Sequence, residues 1–270
     1  MLQNLAQLVR YRALVQSLVA RELKARYRAS VLGFFWSFVN PLLLLLVYSF
    51  VFAYVLKDNT KGIDHYALFL FCGILPWTWF SSSLLESSQV LISGGNLIKK
   101  VLFPAEVLPI VTVLANMVHF FFGLPILVAF LIWFGAPITV RELVWFPLVV
   151  FVQLLLTLGF ALLVSSLTVH FRDIKDILNN LMTLWFFATP IVYPMLPGTG
   201  PFAAMPPYAK TLLNMNPFTH LAISYQEILF YPGPYGHWRW LLALGVASVA
   251  MFLAGYFVFD RLRDSLAEQV

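Results

Sequence analysis

Two aspartates three residues apart, Asp173 and Asp176 in "HFRDIKDI", are spaced to hold a divalent cation on a diphosphate. Metal-dependent prenyl transfer in membranes needs a second acidic cluster facing the first. The remaining acids near them, Asp260, Asp264 and Glu268, alternate with Arg261 and Arg263. A salt-bridged turn is the better reading of the pair. Glu86, at the end of "SSSLLE", is an ionisable residue inside an apolar run, and such residues are functional candidates by default, although a carboxylate bonded to a serine or a backbone turn explains it as well. His119 has no second His or Cys at helical spacing, which favours a packed or hydrogen-bonded histidine over a metal ligand. No nucleotide-binding glycine loop, zinc-protease helix or nucleophile elbow is present, so nothing in the chain reads as a site for nucleotide hydrolysis, and no metal ligands are assigned. The most exposed chemistry is cationic. "RELKARYRAS" places Arg26 and Arg28 where a basic arm runs without a linker into an apolar segment. Cations there adjoin the anionic headgroups of a membrane, which attract them.

Composition says what must position these groups. The 270 residues are 61% hydrophobic and 11% charged, with mean hydropathy +0.84. Soluble domains carry about 25% charged residues, so this chain cannot clothe a water-facing surface and its solvent is a bilayer. Six segments are long enough for spans of about 20 apolar residues: 34–56, 67–92, 107–134, 144–169, 177–197 and 240–259. The second carries Gly73 and Pro76, compatible with a kinked or a broken span. In the first, Asn40-Pro41 removes a backbone donor, which suits a helix facing protein or a conduit. The first 30 residues lack the cleavage pattern of a signal peptide and are expected to persist as an amphipathic interface helix over 1–30. Its apolar face is Leu5, Leu8, Val9, Val15, Val19 and Leu23. The chain then turns near Ser30–Gly33.

Lys and Arg set the orientation. The arm, Lys99 and Lys100, Arg172 and Lys175, and Arg261 and Arg263 share one side; Lys57, Lys61, Arg141, Lys210 and Arg239 take the other. The richer side is expected to be the cytoplasm, with both termini there. The net charge of +5 is therefore a topology and headgroup signal rather than a nucleic-acid one. On the external side, 198–239 is long, apolar and rich in Pro and Gly. It reads as two short helices dipping toward the membrane, about 206–214 and 217–230, with Asn216 as N-cap and Pro217 at the first helical position. The single cysteine, Cys72, excludes an internal disulfide. The cytoplasmic loop 93–106 exposes an apolar knob, Leu97, Ile98, Val101 and Leu102, around two lysines, which calls for a partner surface. Rings at Phe34, Trp36, Phe38, Tyr48 and Trp77 suit stacking on sugar faces, although packing or an interfacial belt explains any single ring as well.

"RELKARYRASVLGFFWSFVNPLLLLLVYSFVF", "GILPWTWFSSSLLESSQVLISGGNLIKKVLFPAEVLP", "VHFRDIKDI", "TPIVYP" and "NMNPFTHL" together resemble the membrane subunit of ABC-2-type polysaccharide exporters, the O-antigen, capsule and teichoic-acid permeases. The resemblance runs in order from about residue 10 to the C-terminus. It implies an all-α polytopic membrane protein with six transmembrane helices, an N-terminal interface helix and two short external gate helices. It also implies a homodimer in the bacterial cytoplasmic membrane, paired with two copies of an ATP-binding ABC subunit that holds ATP and Mg. This chain would be no enzyme and would carry no cofactor. By the same resemblance, Asn96, Leu97, Ile98, Lys99, Lys100, Val101, Leu102 and Phe103 couple to the ATPase, with Arg172 and Asp173 as a second contact. Phe34, Trp36, Phe38, Tyr48, Trp77 and Glu86 line the path of a polyprenyl-diphosphate-linked glycan, Arg26 and Arg28 meet its diphosphate, and Pro207, Tyr208, Asn216 and Pro217 belong to the gate. An intramembrane polyprenyl-phosphate transferase and an ion-coupled transporter are the rival classes. The missing second acidic cluster disfavours the first, and the scarcity of membrane-embedded charge the second.

Overall fold

A computed structural model describes residues 11–28, 30–51, 65–95, 104–135, 142–195, 205–231 and 234–269. The described residues form nine α-helices and no strand: α1 Arg12–Arg26, α2 Trp36–Phe50, α3 Tyr66–Ser93, α4 Val107–Trp133, α5 Phe146–His170, α6 Ile174–Phe187, α7 Pro207–Met215, α8 Pro217–Leu229 and α9 Trp238–Gln269. Short 3₁₀ turns at Gly33–Phe35 and Glu142–Trp145 lead into α2 and α5. Among the described residues, four segments are long and apolar enough to cross a membrane: α3, α4, α5 with its leading turn, and α9 up to Arg263. The protein is a multi-pass membrane protein.

α3 is the spine. It is largely buried along its length and packs against α2, α4, α5, α6 and α8. Pro76 lies inside it without breaking it. The fully buried Gln153 of α5 donates through Nε2 to the Pro76 carbonyl at 2.8 Å and so ties α5 to α3 at this turn. α5 and α9 pack backbone to backbone. A Cβ at Gly255 would strike the carbonyl of Gly159, and one at Gly159 would meet the Met251 backbone at 2.7 Å, so both positions must be bare.

The entry to the bundle follows the sequence closely. Gly33 adopts φ +50°, the left-handed conformation that turns the chain between α1 and α2, and its amide donates to Ser30 Oγ at 3.3 Å. Along α1, partial burial falls at Leu14, Val15, Leu18, Val19, Glu22, Leu23 and Arg26, one stripe at helical spacing that lies on α4. Two charged residues therefore sit on the packed side of the arm.

Within the fifth predicted segment, 177–197, the helix is shorter than the apolar run. α6 is 14 residues, about 21 Å at 1.5 Å per residue, against a hydrocarbon core of about 30 Å. It ends at Phe187 because Pro190 can donate no backbone hydrogen bond and biases Thr189 away from helix. The chain then tucks Thr189 and Ile191 fully into the interior. Leu178 and Met182 face inward, while Ile177, Leu181, Leu184 and Phe187 form an exposed apolar stripe.

Candidate functional site

The last turn of α1 enters a cleft of about 460 Å³ between α1, α2, α3 and α4. Arg26 and Glu86 meet here. Arg26 Nη2 donates to Glu86 Oε2 at 2.5 Å, Nη1 to Asn116 Oδ1 at 2.8 Å, and Nε to Glu22 Oε1 at 3.3 Å. Asn116 closes the triangle, because its Nδ2 donates to the same Glu86 oxygen at 2.8 Å. One residue further on, the Tyr27 hydroxyl lies 2.5 Å from Ser37 Oγ on α2 and 3.0 Å from His119 Nδ1 on α4. Asn116 and His119 are three residues apart and so lie on one face of α4. Two adjacent arm residues thus grip two adjacent turns of a membrane helix.

The grip has a direct electrostatic consequence. Three of the five guanidinium N–H groups of Arg26 are engaged, and two carboxylates share its one positive charge. In this arrangement the cleft repels an added anion near Arg26. Arg28, by contrast, is exposed at the end of the arm. The upper walls are apolar and aromatic: Leu44, Phe71, Leu75, Trp79 and Phe120, with Asn40 and Pro41 of α2 beside them.

The other predicted residues divide. Trp36 lies on the cleft, donates through Nε1 to Ser30 Oγ at 3.0 Å and keeps 36% of its surface exposed. Phe38 packs on Phe122 at 5.3 Å, and Tyr48 is half-buried against the core. Trp77 lies away from the cleft. It is 6% exposed inside a nest of Phe80, Trp185, Phe186 and Phe218. Arg172 and Asp173 are exposed at the joint between α5 and α6. The readings on Asn96–Phe103 and on the Phe34 side chain lie outside the described residues.

At the opposite end of the bundle, Asn216 caps α8. Its Oδ1 accepts from the Phe218 amide at 3.0 Å and from Trp185 Nε1 at 2.7 Å, while Nδ2 donates to the Ala188 carbonyl at 3.0 Å and to Thr189 Oγ1 at 2.9 Å. Pro217 follows at the first helical position, and Pro207 begins α7 in the same way with Tyr208 exposed beside it. Sequence reasoning had Arg26 and Glu86 as separate candidates and missed Asn116, the residue that joins them. An amide three residues from a histidine in an apolar run was the available signal.

The family described as ABC-2 type transporter matches residues 13–230. The chain belongs to that family. It is 39% identical over 270 residues to the "O-antigen export system permease protein RfbA" of Myxococcus xanthus, covering 100% of both chains. A protein of the same name from Klebsiella pneumoniae is 30% identical over 248 residues, 92% of this chain and 91% of the relative. The clasp from Arg26 and Tyr27 to α2, α3 and α4 lies within the matched family region.

Proposed function

We propose that this chain is the membrane-spanning subunit of an ATP-driven ABC exporter that carries a polyprenyl-diphosphate-linked polysaccharide of the O-antigen type across the bacterial cytoplasmic membrane. The similarity to an O-antigen export permease along the whole of both chains carries this reading. Two copies form the conduit, and two copies of a separate ATP-binding subunit, holding ATP and Mg, drive it. The chain crosses six times with both termini in the cytoplasm. The exposed apolar stripes of α2 (Leu43, Leu46, Val47 and Phe50) and α6 (Ile177, Leu181, Leu184 and Phe187) support α2 and α6 as the walls shared by two copies. Glycan passes Trp36 and Tyr48; Arg28 meets the lipid diphosphate first, because Arg26 is already held by acids. The gate at the external end is built from α7 and α8 around Asn216.

The coupling segment 96–103 runs between Gly95 and Pro104, and Glu106 just beyond it is buried with Oε1 3.8 Å from Arg263 of α9. Force delivered to this loop therefore has a route into both α4 and α9. Replacing Leu97, Ile98 and Leu102 with aspartate puts three carboxylates where an apolar contact is expected. The ATP-binding chain should then fail to co-purify, or should hydrolyse ATP without export, while this chain stays in the membrane. Unchanged association together with unchanged export refutes the coupling role.

A further inference from the structure

At the end of the bundle away from α1, three rings lie in a stack: His220 of α8, His237 just before α9, and Trp240 in the first turn of α9. His220 and Trp240 are 4.6 Å apart at 7°, and His220 and His237 are 5.2 Å apart at 28°. His220 Nε2 is 2.9 Å from the carbonyl of Asn214 in α7, which can only accept, so that nitrogen carries a proton. In neutral His220 the other nitrogen, Nδ1, is then an acceptor. It receives the Nε2 proton of His237, 2.9 Å away. One chain of donors thus ties the head of α9 to α8 and α8 to α7.

We propose that His220 and His237 form an acid-sensitive latch that fastens the two short helices α7 and α8 to α9 and releases them when both rings are protonated. The geometry admits one added proton, on Nδ1 of His237, with every hydrogen bond kept. A second proton on Nδ1 of His220 sets two N–H groups against each other across 2.9 Å, and the latch must open. Burial works in the same direction. It lowers the pKa of His237 to about 4, with a further contribution from His220, and lowers that of His220 against the raising effect of its bond to Asn214. Both histidines have folded values below their free value, so the closed form is favoured at neutral pH and loses that advantage as pH falls from about 6.5 toward 4.

The surrounding groups leave the pair as the sensitive element. Glu227 of α8 accepts from the amides of Gly236 and His237 at 3.0 and 3.1 Å, and the Tyr235 hydroxyl lies 2.7 Å from Ser224 Oγ, so the connection is pinned to α8 independently. The guanidinium of Arg239 lies over the Trp238 ring at 5.2 Å. α7 carries Tyr208 and Lys210, and α8 also carries Tyr225, fully buried. Among the described residues Glu227 is the rival titrating group: burial raises its pKa, and protonation would weaken its grip on the two amides.

The test is hydrogen–deuterium exchange of the full chain in lipid nanodiscs at about pH 7.5 and about pH 5, corrected for intrinsic exchange, read on peptides covering 216–222 and 234–240. A pair that takes up at least one more proton open than closed, with free values near 6.5, should open at least about 30-fold more readily at the lower pH. His237→Gln keeps a donor toward neutral His220 and, by turning its amide, offers Oε1 as an acceptor to protonated His220, so its response should fall below about 3-fold with protection at neutral pH retained. Glu227→Gln should keep the wild-type response. A wild-type response under about 3-fold, or a full response in His237→Gln, overturns the latch. Should His237→Gln not accumulate as folded protein, Glu227→Gln decides, because loss of the response there assigns it to the carboxylate.

Discussion

Replacing Trp77 with alanine is expected to lower the amount and thermal stability of folded protein in parallel with any loss of export. Trp77 meets Phe218 edge-on at 4.9 Å and Phe80 at 5.8 Å, and with Phe80 it is one of two α3 rings that touch both α6 and α8. Removing it opens a void that lipid tails cannot reach. Core tryptophan truncations in soluble proteins cost about 3–5 kcal/mol. The transfer part of that cost is smaller when the solvent is itself apolar, so the lower end of the range is expected here. Trp36→Ala should behave oppositely. Its ring is 36% exposed and holds one bond to Ser30, so folded protein should change little while export of long glycans slows. Thermal melts in nanodiscs, read beside polymer export in cells, separate the two. Normal folding with lost export in Trp77→Ala would put that ring back on the glycan's path.

The second large effect is expected at the clasp between Arg26 and Glu86. Arg26→Gln leaves Glu86 with Asn116 as its remaining partner and removes the charge that holds α1 against α3 and α4. Arg26 is 21% exposed and Glu86 41%, so solvent screens part of the pair, and a coupling of about 1–2 kcal/mol is expected from a double-mutant cycle with Glu86→Gln. Arg26→Lys should be intermediate, because one ammonium cannot serve Glu22, Asn116 and Glu86 at once. The cycle is read from thermal melts at low and high salt, with limited proteolysis of the arm as a second signal. Additivity within about 0.5 kcal/mol would mean the clasp is not formed. Arg26 would then be free to meet an anionic lipid beside Arg28.

These expectations also mark how far the sequence could be read. The long apolar runs, the turn at Gly33 and the start of α8 at Asn216-Pro217 were legible because each depends on neighbours in the chain. The clasp was not. Its partners are 60 and 90 residues apart, and only packing brings Glu86 and Asn116 to the end of the arm. The placement of Arg26 on the packed side of α1 had a local signal, Glu22 and Arg26 one turn apart among Val19 and Leu23, which reading the arm as a lipid-facing helix passed over. The helical extent of the fifth segment was less legible for a related reason. Its apolar residues continue past Thr189-Pro190, so hydropathy carried on where the helix could not. Aromatic residues were the least readable. Trp36 and Trp77 look alike in sequence, yet one edges a cleft and the other is enclosed by four rings.

The central claim is that this chain forms the path and another chain supplies the energy. It is tested most directly in inside-out vesicles that contain this chain and its ATP-binding partner, supplied with a polyprenyl-diphosphate-linked polysaccharide. The polymer should become protected inside the lumen, chemically unchanged, only when ATP is added. Protection should vanish when this chain is omitted or the partner's ATP site is disabled. Polymer that enters without ATP, enters without this chain, or emerges with its diphosphate linkage cleaved or transferred would contradict the account.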